Sequence, residues 1–174
     1  MSVPEHVLVR VRLMANADVA PVAAAFAAQG WHKPQEQYRR YLEESAEGRR
    51  VVLLAERGGE FAGYVTVVWE SEYPPFRAAG IPEIVDFNVL IKFQRQGVGT
   101  TLLDEAERRI AERSAVAGIG VGLTADYGAA QVLYVKRGYV PDGRGMAQAG
   151  RAIRHGEQVT IDDDLAVYFS KRLS

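Results

Sequence analysis

The pattern of apolar and polar positions predicts a strand and then two helices at the start of the chain. Residues 7–13 alternate apolar and polar side chains, as a half-buried strand does. Residues 19–28 and 34–46 have helical spacing instead, and Gly30 can end the first of these helices. The chain therefore begins with a strand and a pair of helices.

Three strands are predicted next. Residues 50–56 and 61–69 are apolar runs, and Gly58 and Gly59 between them indicate a β-hairpin. A further apolar run over residues 84–91 is the fourth strand.

The segment between the third and fourth strands is expected to be a loop at the edge of a substrate site. Residues 70–76 contain Pro74 and Pro75, and proline has no N–H to donate to a central strand ladder. We therefore assign this segment no regular element.

The second half of the chain is predicted to hold two helices and three strands. One helix begins at Val98 and has an apolar face formed by Val98, Leu102, Ala106 and Ile110. The other segments are a strand over residues 118–123, a helix over 126–137, a strand from Gly138, a glycine- and arginine-rich stretch over 142–156 with no assigned element, and a strand over 158–169. This order predicts a single α/β (α+β) domain over residues 1–174, with a mixed, mostly antiparallel sheet of about seven strands and helices on both faces.

Glycine alternates with apolar residues in the fifth predicted strand, at Gly118, Gly120 and Gly122. One face of such a strand is almost bare, so a helix, another backbone or a ligand can approach it closely. Helix packing and ligand binding are both open alternatives for this face.

Composition narrows the range of partners. With 48% hydrophobic and 25% charged residues and a formal net charge of -1, the chain gives no electrostatic reason to expect a nucleic acid or a membrane as partner. It has no cysteine, and His6, His32 and His155 lack ligand spacing, so no metal site is expected. The first residues do not resemble a signal peptide, and no uncharged stretch is long enough to span a membrane, so a cytoplasmic protein is predicted.

The loop between the fourth strand and the helix at Val98 is the strongest candidate for a binding site. N–H groups in the first turn of a helix lack intrahelical partners, and the helix dipole adds partial positive charge there. Gly97 and Gly99 have no Cβ, so a phosphate could approach the backbone closely. The alternative is that these two glycines only form a tight turn.

Two motifs give the sequence a resemblance to a known family. The segment from Gln94 to Gly99 has the pattern Gln-x-x-Gly-x-Gly, and the segment from Ala130 to Tyr139 has the pattern Ala-x-x-x-Tyr-x-Lys-x-Gly-aromatic. In this order, they resemble the motifs of the GNAT superfamily of acetyl-CoA-dependent N-acetyltransferases. The resemblance extends over about residues 51–139.

This resemblance implies acetyl-CoA as co-substrate, with no metal. It implies that the pantetheine arm of coenzyme A bonds to the backbone of Val89, Leu90 and Ile91. It also implies that backbone amides of the loop hold the pyrophosphate, and these belong to Gln96, Gly97, Val98, Gly99, Thr100 and Thr101.

Two catalytic residues are implied by the same resemblance. Tyr134 matches the family tyrosine near the thioester sulfur, so it is expected to contact the donor and to act as the acid; alternatively, it only packs in the core. Glu83 begins a Glu-Ile-Val sequence similar to that of the superfamily's histone acetyltransferases, where the glutamate takes the amine proton through water; alternatively, it only ends a strand. Strand alternation puts Asp86 and Asn88 on the face opposite Glu83 unless a bulge intervenes, which makes Asp86 a structural or substrate-binding group.

One position departs from the family pattern. Tyr127 stands where the family often has an asparagine that contacts pantetheine, and Asp126 lies beside it. The usual asparagine contact is therefore not expected in this chain.

The predicted reaction is direct transfer of an acetyl group from acetyl-CoA to a primary amine of a small molecule, in a ternary complex. A protein amine as acceptor and a non-catalytic module that binds acyl-CoA are alternatives. A nucleotide-binding oxidoreductase is disfavoured because the Gly-x-Gly-x-x-Ala match at residues 120–125 lies inside a strand pattern. The acceptor is expected to contact residues 31–38, 70–76 and 144–155, whose mixed chemistry does not identify it, and a homodimer is left open.

Overall fold

The computed structural model describes residues 7–174. Within them it contains eight strands and five α-helices, of which only α3 and β7 were not expected from the sequence. In chain order they are β1 (Val9–Leu13), α1 (Val19–Ala28), α2 (Gln35–Ala46), β2 (Arg50–Arg57), β3 (Glu60–Val68), α3 (Pro74–Ala79), β4 (Glu83–Val89), α4 (Val98–Ala111), β5 (Val116–Gly122), α5 (Gly128–Lys136), β6 (Val140–Gln148), β7 (Arg151–Ala152) and β8 (Leu165–Arg172).

The strands form one sheet in the order β1-β2-β3-β4-β5-β8-β6-β7. β4 and β5 are parallel, with Glu83 opposite Gly118 and Ile84 opposite Ile119. The pairs β1 with β2, β5 with β8, β6 with β7, and β6 with β8 are antiparallel. The predicted mixed α/β fold with a mostly antiparallel sheet is confirmed, although the sheet has eight strands where about seven were expected.

The prediction of a loop over residues 70–76 holds for residues 70–73 but was wrong for residues 74–76, because the two prolines begin helix α3. Pro74 and Pro75 occupy its first turn, where an N–H group would have no intrahelical acceptor. Gly80 ends the helix in the left-handed conformation, with φ of 63°. The prolines exclude a strand, as predicted, but they are well suited to a helix start.

Two boundaries near the C-terminus also differ from the prediction. The glycine-rich stretch contains β7, which pairs with the end of β6 across a turn at Ala149 and Gly150, both with positive φ. The last strand begins at Leu165 rather than near residue 158. The Leu165 N–H donates to the Asp162 carbonyl over 3.2 Å, so a polar turn precedes this strand.

The chain divides into two compact units. The first contains the chain up to Val67 and residues 86–108, and the second contains residues 68–85 and 109–174. In the first unit, the Phe26 and Tyr64 rings meet edge to face, with centroids 5.6 Å apart. In the second, Tyr73, Phe76 and Ala147 form a buried cluster against which Ile81 and Tyr168 pack. That the whole chain is one domain stays a prediction.

The four apolar residues that predicted α4 are all buried: Val98, Leu102, Ala106 and Ile110. The amphipathic pattern therefore identified the correct helix face. No helix in residues 7–174 combines the length and the apolar character that crossing a membrane requires.

Aromatic rings cover the glycine face of β5. A Cβ added to Gly118 would lie 2.3 Å from Cε2 of Phe76, and one added to Gly122 would lie 2.4 Å from Cε2 of Tyr127. The ring of Tyr168 is somewhat farther from Gly120, with Cε1 2.9 Å from an added Cβ. The ring at Gly118 belongs to helix α3, which agrees with the helix-packing alternative, whereas the rings at Gly120 and Gly122 come from β8 and from the turn before α5 and were not predicted.

Replacing Gly118 by alanine is therefore expected to lower the free energy of unfolding by about 2 kcal/mol or more, because the buried ring of Phe76 must move. Urea unfolding measures the change. The matched control is Gly128→Ala in the first turn of α5, where an added Cβ meets nothing within 4 Å and stability should be almost unchanged. Equal stability of the two variants would contradict the packing account.

Candidate active site

The loop before α4, residues 94–101, is called the donor loop below. Gly97 has φ of 84° and precedes the helix, and its carbonyl accepts hydrogen bonds from the Thr101 N–H (3.0 Å) and hydroxyl (2.9 Å). The N–H groups of the next three residues lie in the first turn, where an α-helix supplies no acceptor. The geometry is that of an anion site at a helix N-terminus.

Gly99 is required for close packing of α4 against β4. A Cβ at this position would lie 3.0 Å from Cζ of Phe87 and 3.7 Å from Cγ2 of Val89. The glycine thus lets the first helical turn approach the strand, in addition to leaving its own amide accessible.

Some backbone groups at the end of β4 already form hydrogen bonds with other residues of the chain. The Leu90 N–H donates to the carbonyl of Ala62 over 2.9 Å, and the Ile91 N–H donates to Oε1 of Gln29 over 3.0 Å. The Val89 carbonyl likewise accepts a hydrogen bond of 3.3 Å from Gln94 Nε2. A pantetheine arm that extends the sheet here would therefore have to replace Gln94 at the Val89 carbonyl or Gln29 at the Ile91 N–H.

Glu83, the predicted base, is buried at the start of β4 with 7% of its surface exposed. Its Oε2 accepts a hydrogen bond of 2.5 Å from the Ser71 hydroxyl, and Ser71 Oγ also accepts one of 3.0 Å from the Tyr73 N–H. A buried carboxylate needs such partners, because desolvation without compensation is costly. Ser71 thereby holds Glu83 in one orientation.

A partly open pocket of about 400 Å³ lies beside this pair in the second unit. The Arg77 side chain forms part of its wall and donates from Nε to the Ser71 carbonyl over 2.9 Å. The residues around the pocket are Trp69, Glu70, Ser71, Phe76, Arg77, Gly80 and Ile81. Ser71 thus belongs both to the pocket wall and to the hydrogen bond with the predicted base, while Glu83 itself does not line the pocket.

Tyr134, the predicted acid, is buried in α5, and its ring centroid lies 6.1 Å from that of Tyr139. Burial raises the pKa of the Tyr134 hydroxyl above its ordinary value, so the group keeps its proton throughout the physiological range. Tyr127 packs against Gly122 and donates from its hydroxyl to Asp163 Oδ1 over 2.7 Å. Tyr127 therefore has a structural role of its own.

Asp86 lies in the middle of β4 with φ of 52°, a left-handed conformation that interrupts regular strand geometry. Its carboxylate accepts hydrogen bonds from five donors. Asp86 and these five residues are called the Asp86 cluster below. The donors are Lys33 Nζ (3.0 Å), Gln37 Nε2 (2.8 Å), the hydroxyls of Tyr41 (2.9 Å) and Tyr64 (2.5 Å), and Asn88 Nδ2 (2.7 Å).

These partners keep Asp86 ionised. Burial alone would raise the pKa of its carboxyl group, but the Lys33 ammonium and the hydrogen bonds from Tyr64, Lys33 and Tyr41 outweigh burial, so the pKa lies below its ordinary value. A carboxylate with so many donors is a weak proton acceptor. The cluster thus favours the predicted structural or binding role of Asp86 over a role as base.

A model of the acetyltransferase (GNAT) family matches residues 19–139, which is most of the chain. The chain belongs to this family. The predicted enzyme class, an acetyl-CoA-dependent N-acetyltransferase, is thereby confirmed, and the non-catalytic module and the oxidoreductase are set aside. No curated protein sequence matches the chain.

Solved structures of GNAT proteins share the fold at low sequence identity. A ribosomal-protein-alanine N-acetyltransferase from Brucella melitensis is 21% identical, with a TM-score of 0.68 and coverage of 94% of this chain and 99% of that chain. An acetyl transferase from Salmonella typhimurium, which modifies the N-terminal serine of the 50S ribosomal subunit protein L7/L12, is 14% identical, with a TM-score of 0.69 and coverage of 95% of each chain. Another Salmonella typhimurium protein, solved with its cofactor acetyl-CoA, is 16% identical, with a TM-score of 0.67 and coverage of 95% and 94%.

Within the GNAT chain, the donor loop and the Asp86 cluster belong to the first unit, and Glu83 and Tyr134 to the second. The individual roles of these residues stay predictions. Among residues 7–174, no three histidine or carboxylate side chains are grouped so as to hold a metal ion.

Sequence reasoning missed Ser71, Lys33 and Gln29 as partners of site residues. Each lies far along the chain from the group that it binds, so no local spacing identifies it. The available signal was indirect, because a carboxylate in an apolar strand must find donors somewhere.

Proposed function

We propose that this GNAT protein transfers the acetyl group of acetyl-CoA directly to a primary amine of a small molecule, in a ternary complex. The observation that carries the proposal is the buried Glu83 carboxylate, which is oriented by Ser71, a residue that also lines a surface pocket. The amine acceptor would occupy this pocket and compete with Arg77 for the Glu70 carboxylate, 3.5 Å from Arg77 Nε, and with Arg113 for the Trp69 ring, whose centroid lies 4.0 Å from the guanidinium.

Acetyl-CoA supplies the acetyl group as an activated thioester, and the residues of the chain hold it and move protons. The amides from Gln96 to Thr101 bind the pyrophosphate, and the backbone from Val89 to Ile91 binds the pantetheine arm. Glu83 takes the proton that the acceptor ammonium must lose, through water, before its nitrogen forms the new C–N bond. As the C–S bond breaks, Tyr134 donates its proton to the departing sulfur, and the second proton that the attacking nitrogen must lose returns through water to the Tyr134 oxygen.

A protein amine is the second candidate acceptor. The solved structures from Brucella melitensis and Salmonella typhimurium described above are named for modifying ribosomal proteins, the first at alanine and the second at an N-terminal serine. A pocket that is open to the surface can receive a chain terminus as well as a small amine.

A panel assay tests both candidates. Purified protein is given acetyl-CoA and, separately, small diamines, free amino acids, and peptides that begin with alanine or serine. Release of coenzyme A thiol is measured together with the acetylated product. Turnover of a small amine supports the main proposal, turnover of peptides alone supports the second candidate, and release of thiol without any acetylated amine would contradict both.

Replacing Tyr134 by phenylalanine is expected to lower kcat by about tenfold to a hundredfold, because the departing sulfur loses its proton donor while the ring is kept. The affinity for acetyl-CoA should change little. The control is Tyr139→Phe, which alters the neighbouring buried ring in the same way. Similar kcat values for Tyr134→Phe and the parent, under conditions where chemistry limits the rate, would leave Tyr134 with a packing role.

A further inference from the structure

Asp86 takes no part in the steps proposed above, yet its side chain is tied to four parts of the first unit. Lys33 reaches it from the connection between α1 and α2, and α2 and β3 supply further donors, while Asn88 comes from β4 itself. The Lys33 ammonium also lies 5.7 Å from the ring centroid of Phe26 and 5.6 Å from that of Tyr64. The carboxylate and its counter-charge are therefore held in one place.

The backbone at Asp86 explains why such anchoring is needed. A φ of 52° is unfavourable for an L-residue, although aspartate tolerates it better than most. Strained conformations of this kind persist only where the surrounding structure over-determines them. The donors of the Asp86 cluster supply that constraint, because they hold the carboxylate from four parts of the first unit.

The residues after Asp86 transmit this geometry to the donor loop. Phe87 places its ring 3.0 Å from where a Cβ of Gly99 would be, at the first turn of α4. The next carbonyl, of Asn88, would lie 2.6 Å from a Cβ on Gly63, so β4 is pressed against β3 at this point. Leu90 then bonds to Ala62 at the start of the predicted pantetheine stretch. A different conformation at Asp86 would turn Phe87 away from Gly99 and would shift this register.

We infer that Asp86 is a positioning residue for donor binding: its anchored carboxylate fixes the left-handed backbone of β4, which sets Phe87 against Gly99 and aligns the strand end with the donor loop. The inference rests on the proposed binding of coenzyme A at this loop. It assigns Asp86 no contact with the donor and no proton transfer.

Three variants test it through the Kd of coenzyme A, measured by calorimetry well below the lowest Tm of the set. Asp86→Ala removes both the anchor and the tolerance for positive φ, and it should weaken binding by about tenfold. Asp86→Gly also removes the anchor but adopts positive φ without strain, so it should recover only the part of that loss that backbone strain causes. The matched control is Asp18→Ala, which breaks the two hydrogen bonds of 2.8 Å from Arg12 in the same unit, and it should leave the Kd unchanged.

Parent-like binding by Asp86→Ala or by Asp86→Gly, which both lack the anchored carboxylate, would overturn the inference. If Asp86→Ala does not fold, Lys33→Met and Tyr64→Phe each remove one donor, and parent-like Kd values for both would overturn it as well. The donor site itself is checked by Gly99→Val. If Gly99→Val binds coenzyme A as the parent does, the proposed donor site is wrong. If Gly99→Val binds coenzyme A weakly while Asp86→Ala binds it as the parent does, the donor site stands and only the positioning role of Asp86 is wrong.

Discussion

Replacement of Glu83 by glutamine is expected to lower kcat at neutral pH by about a hundredfold or more, which is the usual contribution of a positioned general base. An alkyl ammonium holds its proton at neutral pH and cannot attack a thioester until a base removes it. Glutamine keeps the size of Glu83 and can still accept a hydrogen bond from Ser71, but it cannot take the proton. The affinity for acetyl-CoA should be almost unchanged, because the loss is confined to a proton-transfer step.

Glu72→Gln is the control for this prediction. Glu72 lies one residue from Ser71 in the same segment and is exposed, so its substitution removes the same charge from the neighbourhood without altering a buried group. Its kcat should stay within about twofold of the parent value, since surface substitutions have small effects. Equal kcat values for the Glu83 and Glu72 variants would show that Glu83 has only a structural role at the start of β4.

Replacement of Gly99 by valine is expected to weaken binding of coenzyme A by about tenfold to a hundredfold. The new Cβ would lie 3.0 Å from Cζ of Phe87, so the first turn of α4 must move away from β4 or the ring must leave its position. Either movement displaces the amides that are proposed to hold the pyrophosphate. Calorimetric titration with coenzyme A measures the change without an acceptor.

The matched control introduces the same side chain in the first turn of another helix. Gly128→Val in α5 places a Cβ that meets nothing within 4 Å, and binding of coenzyme A should be as in the parent. A normal Kd for Gly99→Val would mean that the two glycines of the loop only form a turn.

Local patterns were sufficient for most of the fold. The apolar period of α4 and the Gly58-Gly59 hairpin depend on residues close in sequence, and both are found as expected. The errors arose where one signal has two structural meanings. Pro74 and Pro75 exclude a central strand and also suit a helix start, and only the second property decided the outcome.

In the candidate site, too, the features that depend on neighbouring residues were predicted and those that depend on distant residues were not. The donor loop is a local motif, so its position before α4 followed from the sequence. The left-handed conformation of Asp86 was not predictable, because it depends on donors that are 22 to 53 residues away, such as Tyr64 and Lys33. Side chains were therefore expected to alternate regularly between the two faces along all of β4, whereas the backbone at Asp86 interrupts this alternation.

The assignment of the base is tested most directly by pH-rate profiles of the parent, Glu83→Gln and Asp86→Asn, at saturating acetyl-CoA and with one amine acceptor. Because the pKa of Asp86 lies below its ordinary value, this carboxylate stays ionised over the assay range and its replacement should keep the shape of the parent profile. Glu83→Gln should instead lose rate at neutral pH, and its pH dependence should steepen toward the pKa of the amine itself. If Asp86→Asn abolishes the acidic limb of the profile while Glu83→Gln retains it, Glu83 is not the base.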